Sequence, residues 1–290
     1  MEVMRGIKNT LLTKPLGIGL GNFDGLHIGH ITLINALINE SRLNDLHSMI
    51  YTFAKHPENI LKKELITPLL ITVEKKAELL SSLPLDYLYY EDFDESFSKM
   101  QPEDFVKDIL VGNFNIKLAM AGFDYTFGYR GRGDAKLLKE LGEKHNFRVI
   151  IIPPIKINDE VISSTLIREY LTSGDMEKTF YFLGRHYSIT GLVEGGHRMG
   201  SELGFPTANI NPEEYLLLPA HGVYITKTLL DGKLHKSVTN IGMAPTIKTG
   251  RTRVNIETYI LDFNGDIYQK NIEVFFIKKI RDEKKFGSKE

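Results

Sequence analysis

LGIGLGNFDGLHIGHITLINALI, residues 16–38, runs from an apolar stretch through a glycine-rich turn into a helical pattern. LGIGL (16–20) reads as a buried strand. ITLINALINESRL (31–43) places Ile31, Ile34, Leu37 and Ile38 on one helix face. Between them lies GNFDGLHIGH (21–30), with Gly21, Gly25 and Gly29 around His27 and His30. Outward from this junction the same rhythm repeats. SMIYTF (48–53), DYLYY (86–90), IKLAMAG (116–122) and FRVIIIPP (147–154) read as strands. VEKKAELLSSL (73–83), PEDFVKDILVG (102–112) and AKLLKELGEKH (135–145) read as the helices between them. Alternating strands and helices predict a parallel sheet covered by helices, a Rossmann-like α/β domain. Ligands of such sheets bind beyond the carboxyl ends of the strands.

The pattern changes near residue 185. YSITGLV, GVYITKTLL, KLHKSVTNIG, RVNIETYILDF and NIEVFFIKKI are strand-like, with alternating stretches. Asp231-Gly232 and Asn264-Gly265 are hairpin signals. This run predicts a separate antiparallel domain, a barrel or a sandwich. STLIREYLTSGDMEKTFYFLG (164–184) reads as helical and joins the halves. The expected domains are therefore 1–184 and 185–290.

A chain of 290 residues exceeds what one core usually organises. Its net charge of -1 offers no domain-wide basic excess, so bulk nucleic-acid binding is not expected. The absence of cysteine excludes disulfides, thiolate metal sites and a cysteine nucleophile, and fits a reducing cytoplasm. The amino terminus lacks the apolar core of a signal peptide, and no apolar run approaches the ~20 residues of a membrane span.

Glycines at the strand-to-helix junction let the backbone turn and a ligand approach closely. The helix that follows offers unsatisfied N–H groups, a seat for phosphate. His27 and His30, three apart, share one side of its first turn. Two imidazole donors aimed at a phosphate would stabilise charge growing in a transition state. A glycine turn with a surface histidine, or a metal site completed by His56, are the other readings of the same residues.

At this point the chain resembles the bacterial bifunctional riboflavin kinase/FMN adenylyltransferase family. GNFDGLHIGH looks like the signature of its His-x-Gly-His nucleotidyltransferase module. FAKHP, AGFDYTFGYRGRGD, ISSTLIRE and LGFPTANI match further blocks in order, from about residue 16 to the carboxyl terminus. The resemblance implies two reactions, riboflavin plus ATP to FMN, and FMN plus ATP to FAD with release of pyrophosphate. It assigns Gly21, Asn22, Phe23, His27, Gly29 and His30 to ATP binding and phosphate stabilisation. Ser164, Thr165 and Arg168 would add nucleotide contacts, with Arg168 on phosphate. From the residues alone, the Ser/Thr run is equally a helix N-cap. Asp124 would hold Mg²⁺ or position groups, or it is a turn residue. Phe123, Tyr125 and Phe127 would stack on the flavin or fill core.

VEGGHRMGSELGFPTANI (193–210) carries Gly200, His197 and Arg198 in a loop that could close over phosphates or be a solvated hairpin. In an extended segment Thr207 and Asn209 point the same way, and their oxygens are hard ligands suited to Mg²⁺. The resemblance places the kinase Mg²⁺–ATP site there. Arg253, Asn255 and Glu257 share a strand face. The resemblance makes Glu257 the general base for the riboflavin 5′-hydroxyl, and an alcohol nucleophile does need one. Three departures stand out. Lys55-His56-Pro57 replaces the family's Pro-His-Pro, Ala244 stands where an arginine is usual, and the sequence ends at RDEKKFGSKE. The kinase module is thus expected to be C-terminally short, with adenylyl transfer alone as the alternative activity. Partners are expected to be small molecules, with no nucleic acid or membrane, and the protein a monomer or weak oligomer.

Overall fold

In a computed structural model, residues 1–6, 14–55, 57–61, 66–194, 207–245 and 252–283 are described. Two compact units divide the chain, Met1–Ser163 and Ser164–Glu290.

The first unit is built on a six-stranded parallel sheet. Its strands are β1 (Glu2–Arg5), β2 (Leu16–Leu20), β3 (His47–Phe53), β4 (Tyr87–Glu91), β5 (Ile116–Gly122) and β6 (Arg148–Ile152). Their order is β1-β4-β3-β2-β5-β6. The helices are α1 (Ile28–Leu43), the short α2 (Pro57–Leu61), α3 (Val73–Ser81), the short α4 (Glu95–Ser98) and α6 (Ala135–His145). Between α4 and α6, α5 (Pro102–Asp104) passes into π-helical winding over Phe105–Asn113. A two-stranded ribbon, β7 (Lys156–Ile157) and β8 (Glu160–Val161), completes the unit. The edge strand β1 carries no alternation the sequence could reveal and exists by pairing with β4.

The glycines of LGIGL explain how α1 reaches the sheet. Leu16, Ile18 and Leu20 point to one core layer, with Tyr51, Phe105 and Phe127. Gly17 and Gly19 face the other way, where Leu33, Ile34, Leu37 and Ile38 of α1 pack. A Cβ at Gly19 would lie 2.7 Å from Ile50 and 3.0 Å from Leu37. Burying each of those aliphatic side chains is worth about 1.5–3 kcal/mol, so the close approach matters.

In the second unit α7 (Ser164–Ser173) and α8 (Met176–Leu183) precede the strands. The single helical stretch expected over 164–184 is broken because Gly174 takes φ +80° and Asp175 caps α8 through the Lys178 N–H. Compactness places both helices with the strands, ahead of the 184 boundary drawn from the pattern, since α8 packs on β9 and β14. The strands β9 (Tyr187–Glu194), β10 (Thr207–Asn211), β11 (Gly222–Leu230), β12 (Lys233–Pro245), β13 (Thr252–Ile260) and β14 (Asn271–Arg281) close an antiparallel barrel. Its order is β10-β13-β12-β11-β14-β9. Asp231-Gly232 forms the expected β11–β12 hairpin, both residues at positive φ. Asn264-Gly265 does not form one. β13 pairs with β10 and β12, and β14 with β9 and β11, so the connection crosses the barrel end. The barrel core contains a buried chain of hydroxyls. Thr258 meets Thr239 at 2.9 Å, Thr239 meets Thr226, Thr226 meets Ser237, and Ser237 meets Thr228, each at 2.8 Å.

Candidate functional site

The strand order reverses at β2, which has β3 on one side and β5 on the other. A crevice at such a switch point lies beyond the carboxyl ends of the strands. Leu20 pairs with Ala121, so the turns that follow β2 and β5 leave the sheet side by side.

The turn after β2 carries GNFDGLHIGH. Phe23, Gly25 and Leu26 all take positive φ, at 47°, 82° and 44°. Phe23 and Leu26 are fully buried core side chains. His27 is the N-cap of α1, and its Nδ1 accepts the His30 backbone N–H at 3.2 Å. A nitrogen that accepts this bond bears no proton, so the neutral His27 ring carries its proton on Nε2. The His30 ring stacks on His27 at 3.5 Å with 13° between planes, and Phe23 meets His30 edge-on at 5.2 Å. A Cβ at position 29 would sit 3.2 Å from the His27 ring, so a side chain there would press on that ring. One turn therefore holds both histidines at the start of α1.

The loop is anchored from outside. The Asn22 carbonyl accepts from Thr52 Oγ1 and from Lys76 Nζ, each at 2.9 Å. The Asp24 carboxylate accepts the Leu70 N–H at 2.9 Å. Lys76 is 5% exposed, and burial pushes its ammonium down to about 8 against the opposing charge of Asp24. Asn22, Asp24 and Lys76, with Phe53, Lys55 and Ile71, line a small open cleft. Sequence reading missed Asp24 and Lys76. A signal was present for the lysine: Val73, Lys76, Ala77 and Leu80 fall on one face of α3, so a lysine stands on the apolar stripe.

After β5, Tyr125 N–H bonds back to the Gly122 carbonyl, making a turn that exposes Asp124. Of the three aromatic residues, Phe123 is 47% exposed, Tyr125 is half-buried and Phe127 is core. Tyr125 and Phe127 stack at 5.7 Å, and burial pushes the Tyr125 hydroxyl up. Ser164 and Thr165 occupy the first turn of α7, and Arg168, one turn on, lies on the same side. His56, His197, Arg198 and Gly200 lie outside the described residues, as do the final residues 284–290.

On the barrel, Ala208 and Ile210 point inward while Thr207 and Asn209 face out. Asn209 pairs directly with Glu257 on β13 and with Glu194 on β9, and Glu257 pairs with Asn240 on β12. Four adjacent strands thus present Glu194, Asn209, Glu257 and Asn240 in one row. Asn255 Nδ2 bonds both Asn209 Oδ1 at 3.1 Å and Glu257 Oε1 at 2.8 Å. That amide fixes the carboxylate and turns the Asn209 oxygen. Glu194 was not legible as part of this row, because only barrel register brings β9 beside β10. Among the described residues no group of three or more histidine or acidic side chains is placed to hold a metal by itself. The neutral oxygens of Thr207 and Asn209 suit an ion held mainly by substrate phosphates.

A His-x-Gly-His turn at the switch point of a parallel sheet, carried in one chain with a barrel bearing a Thr/Asn/Glu face, defines a two-unit nucleotide-handling protein. The family model described as FAD synthetase matches residues 12–166, and that described as riboflavin kinase matches residues 183–290. The chain belongs to the bifunctional riboflavin kinase/FMN adenylyltransferase family. It is 35% identical to the protein of that name from Buchnera aphidicola of Schizaphis graminum, covering 100% of this chain and 93% of the relative. The Bacillus subtilis relative is 35% identical over 93% of this chain and 85% of its own length. The Escherichia coli K12 relative is 32% identical over 99% and 92%. A solved structure described as a macrolide-efflux protein from Streptococcus pneumoniae superposes with a TM-score of 0.89 at 27% identity, covering 99% of this chain and 93% of that one. Among the described residues no helix is long and apolar enough to cross a membrane.

Proposed function

We propose that the chain phosphorylates riboflavin to FMN and adenylylates FMN to FAD, using ATP in both steps. The observation that carries this reading is the pair of consecutive family matches, each over a unit with its own polar site. The riboflavin kinase match over 183–290 favours it over adenylyl transfer alone.

In adenylyl transfer an FMN phosphate oxygen attacks the α-phosphorus of ATP and pyrophosphate leaves. The nucleophile is already anionic, so the chain supplies position and positive charge rather than a base. Gly21, Asn22, Phe23 and Gly29 shape the turn that receives the nucleotide. His27 and His30 stabilise charge on the phosphates. Ser164, Thr165 and Arg168 contribute further ATP contacts. Asp124 would hold Mg²⁺ or position groups near the reacting phosphates, and the exposed Phe123 would stack on the flavin, while Tyr125 and Phe127 back them from the core side.

In the kinase step the riboflavin 5′-hydroxyl attacks the γ-phosphorus of ATP and ADP leaves. Glu257 takes the hydroxyl proton, oriented by Asn255. Thr207 and Asn209 would hold Mg²⁺, which draws charge off the phosphates when bound, and the family resemblance adds Gly200 to the ATP contacts. We assign adenylyl transfer to residues 1–184 and phosphorylation to 185–290. We place both reactions in the cytoplasm, on a monomer or weak oligomer without nucleic-acid or membrane partners. Incubation with riboflavin, ATP and Mg²⁺, with separation of the flavin products, tests the reading. The expected result is FMN followed by FAD; neither product would overturn it.

A further inference from the structure

The turn ahead of the two histidines is held in a conformation its own residues do not prefer. Left-handed backbone is disfavoured for a residue with a side chain, and Phe23 and Leu26 both adopt it. Such a turn persists only where the surroundings over-determine it. Burial of Phe23 and Leu26 is one part of that hold. The polar part converges on two atoms groups, the Asn22 carbonyl and the Asp24 carboxylate, and each is tied to residues far along the chain.

We propose that Lys76 is a positioning residue for adenylyl transfer, its ammonium clamping the Asn22 carbonyl and balancing Asp24 so that the turn delivers His27 and His30 in register. The inference rests on the adenylyl-transfer reading of this unit. Lys76 reaches the loop from α3, on the face it shares with the buried Leu80, and is itself buried. Its Nζ donates to Asn22 O at 2.9 Å and lies 3.5 Å from Thr52 Oγ1. Thr52, at the end of β3, donates to the same carbonyl, so β2, β3 and α3 meet at one oxygen. The Tyr90 ring of β4 lies beneath the ammonium at 5.9 Å, with its hydroxyl fixed on the Val73 carbonyl. A cation over that ring is favoured by the ring's quadrupole.

The charged neighbours come from every packed element. Asp24 faces Lys76 from the β2–α1 turn, and Lys55 shares the cleft from the end of β3. Arg5 of β1 lies 5.5 Å from the same Tyr90 ring, and Glu74 on α3 acts on the Tyr90 hydroxyl. Asp24 is the one of these that favours the charged lysine; burial opposes it and brings the ammonium down to about 8. Protonated Lys76 therefore predominates below that pH and is lost above it. The clamp then weakens, and the attraction between Lys76 and Asp24 is lost.

The test uses the full chain with Lys76→Met and Lys76→Arg, measuring FMN-to-FAD kinetics from pH 6 to 10. Riboflavin-to-FMN turnover on the same molecules is the control. Wild type should lose adenylyl-transfer kcat/KM on an alkaline limb, and Lys76→Arg should move that limb to higher pH, since guanidinium stays charged. Lys76→Met should fall about 10–100-fold at pH 7, the scale of a small misplacement of reacting groups, with kinase turnover retained. A limb unmoved in Lys76→Arg, or Lys76→Met within twofold of wild type, overturns the proposal. Equal loss of both activities in both variants also overturns it, because the lysine then serves the fold in general. A wild-type chain that makes no FAD from FMN refutes the underlying reading instead, and is told apart by needing no variant.

Discussion

Replacing His27 separates the two tasks its ring performs. As N-cap of α1 it accepts the His30 N–H, and as one of a stacked imidazole pair it stands at the helix N-terminus where phosphate is expected. Asparagine is among the strongest N-cap residues, whereas alanine caps poorly, at a cost of about 0.5–2 kcal/mol. In a unit of 163 residues that cost lowers the melting point by about 2–4 °C per kcal/mol. Loss of one preorganised donor to a developing charge costs about 2.7–4 kcal/mol of barrier, or 10²–10³ in kcat. His27→Asn should therefore melt close to wild type yet form FAD at least ~10²-fold more slowly. His27→Ala should lose the same rate and also melt lower. FAD formation from FMN and ATP is followed beside FMN formation from riboflavin, which neither variant should alter. If His27→Asn forms FAD within threefold of wild type, the ring is only a cap and the phosphate role assigned to it is wrong.

Glu257→Gln keeps the hydrogen bond from Asn255 but removes the base; FMN formation should fall by about 10²–10⁴, while FAD formation from supplied FMN continues. Thr239→Val takes an inner member from the buried hydroxyl chain and deprives Thr258 and Thr226 of its bonds, so unfolding should show a loss of about 1–3 kcal/mol; a change under ~0.3 kcal/mol would mean the hydroxyl chain carries no stability. Burial raises the Glu91 carboxyl, against the hydrogen bonds that Tyr51 and Asp92 give it. A carboxyl raised in the folded state opposes folding increasingly as pH rises through its folded value. Glu91→Gln should accordingly gain melting temperature over wild type at pH 8 and lose that advantage at pH 4. An advantage that grows toward acid would contradict the assignment.

Much of the architecture was legible because short-range pattern and burial agree. The strands 16–20 and 116–122 and the helix 135–145 appear with the limits their sequences imply. GNFDGLHIGH was recognisable because the strand end, glycine turn and helix start are consecutive in the chain. The failures share a cause. Asn264-Gly265 has local hairpin chemistry, yet β13 and β14 are not neighbours, so partner choice in a closed barrel overrode the turn signal. The stretch 164–184 kept helical periodicity through Gly174, whose positive φ broke it. Lys76 stands on the apolar stripe of α3, but only the packed structure shows which carbonyl its ammonium meets.

The sequence alone determined which segments alternate between strand and helix, that an α/β half precedes a strand-rich half, and which residue types could handle phosphate, an alcohol proton or Mg²⁺. Those properties are carried by spacing of a few residues, where backbone geometry leaves little choice. Only the tertiary structure decided which distant residues share an oxygen or a row. Asn22, Thr52 and Lys76 meet because strand order places β2 beside β3 and Lys76 of α3 reaches the same carbonyl. Glu194, Asn209, Glu257 and Asn240 align because barrel register is set across four strands at once. Register depends on closing the whole barrel around its core, and no window of local sequence contains that constraint.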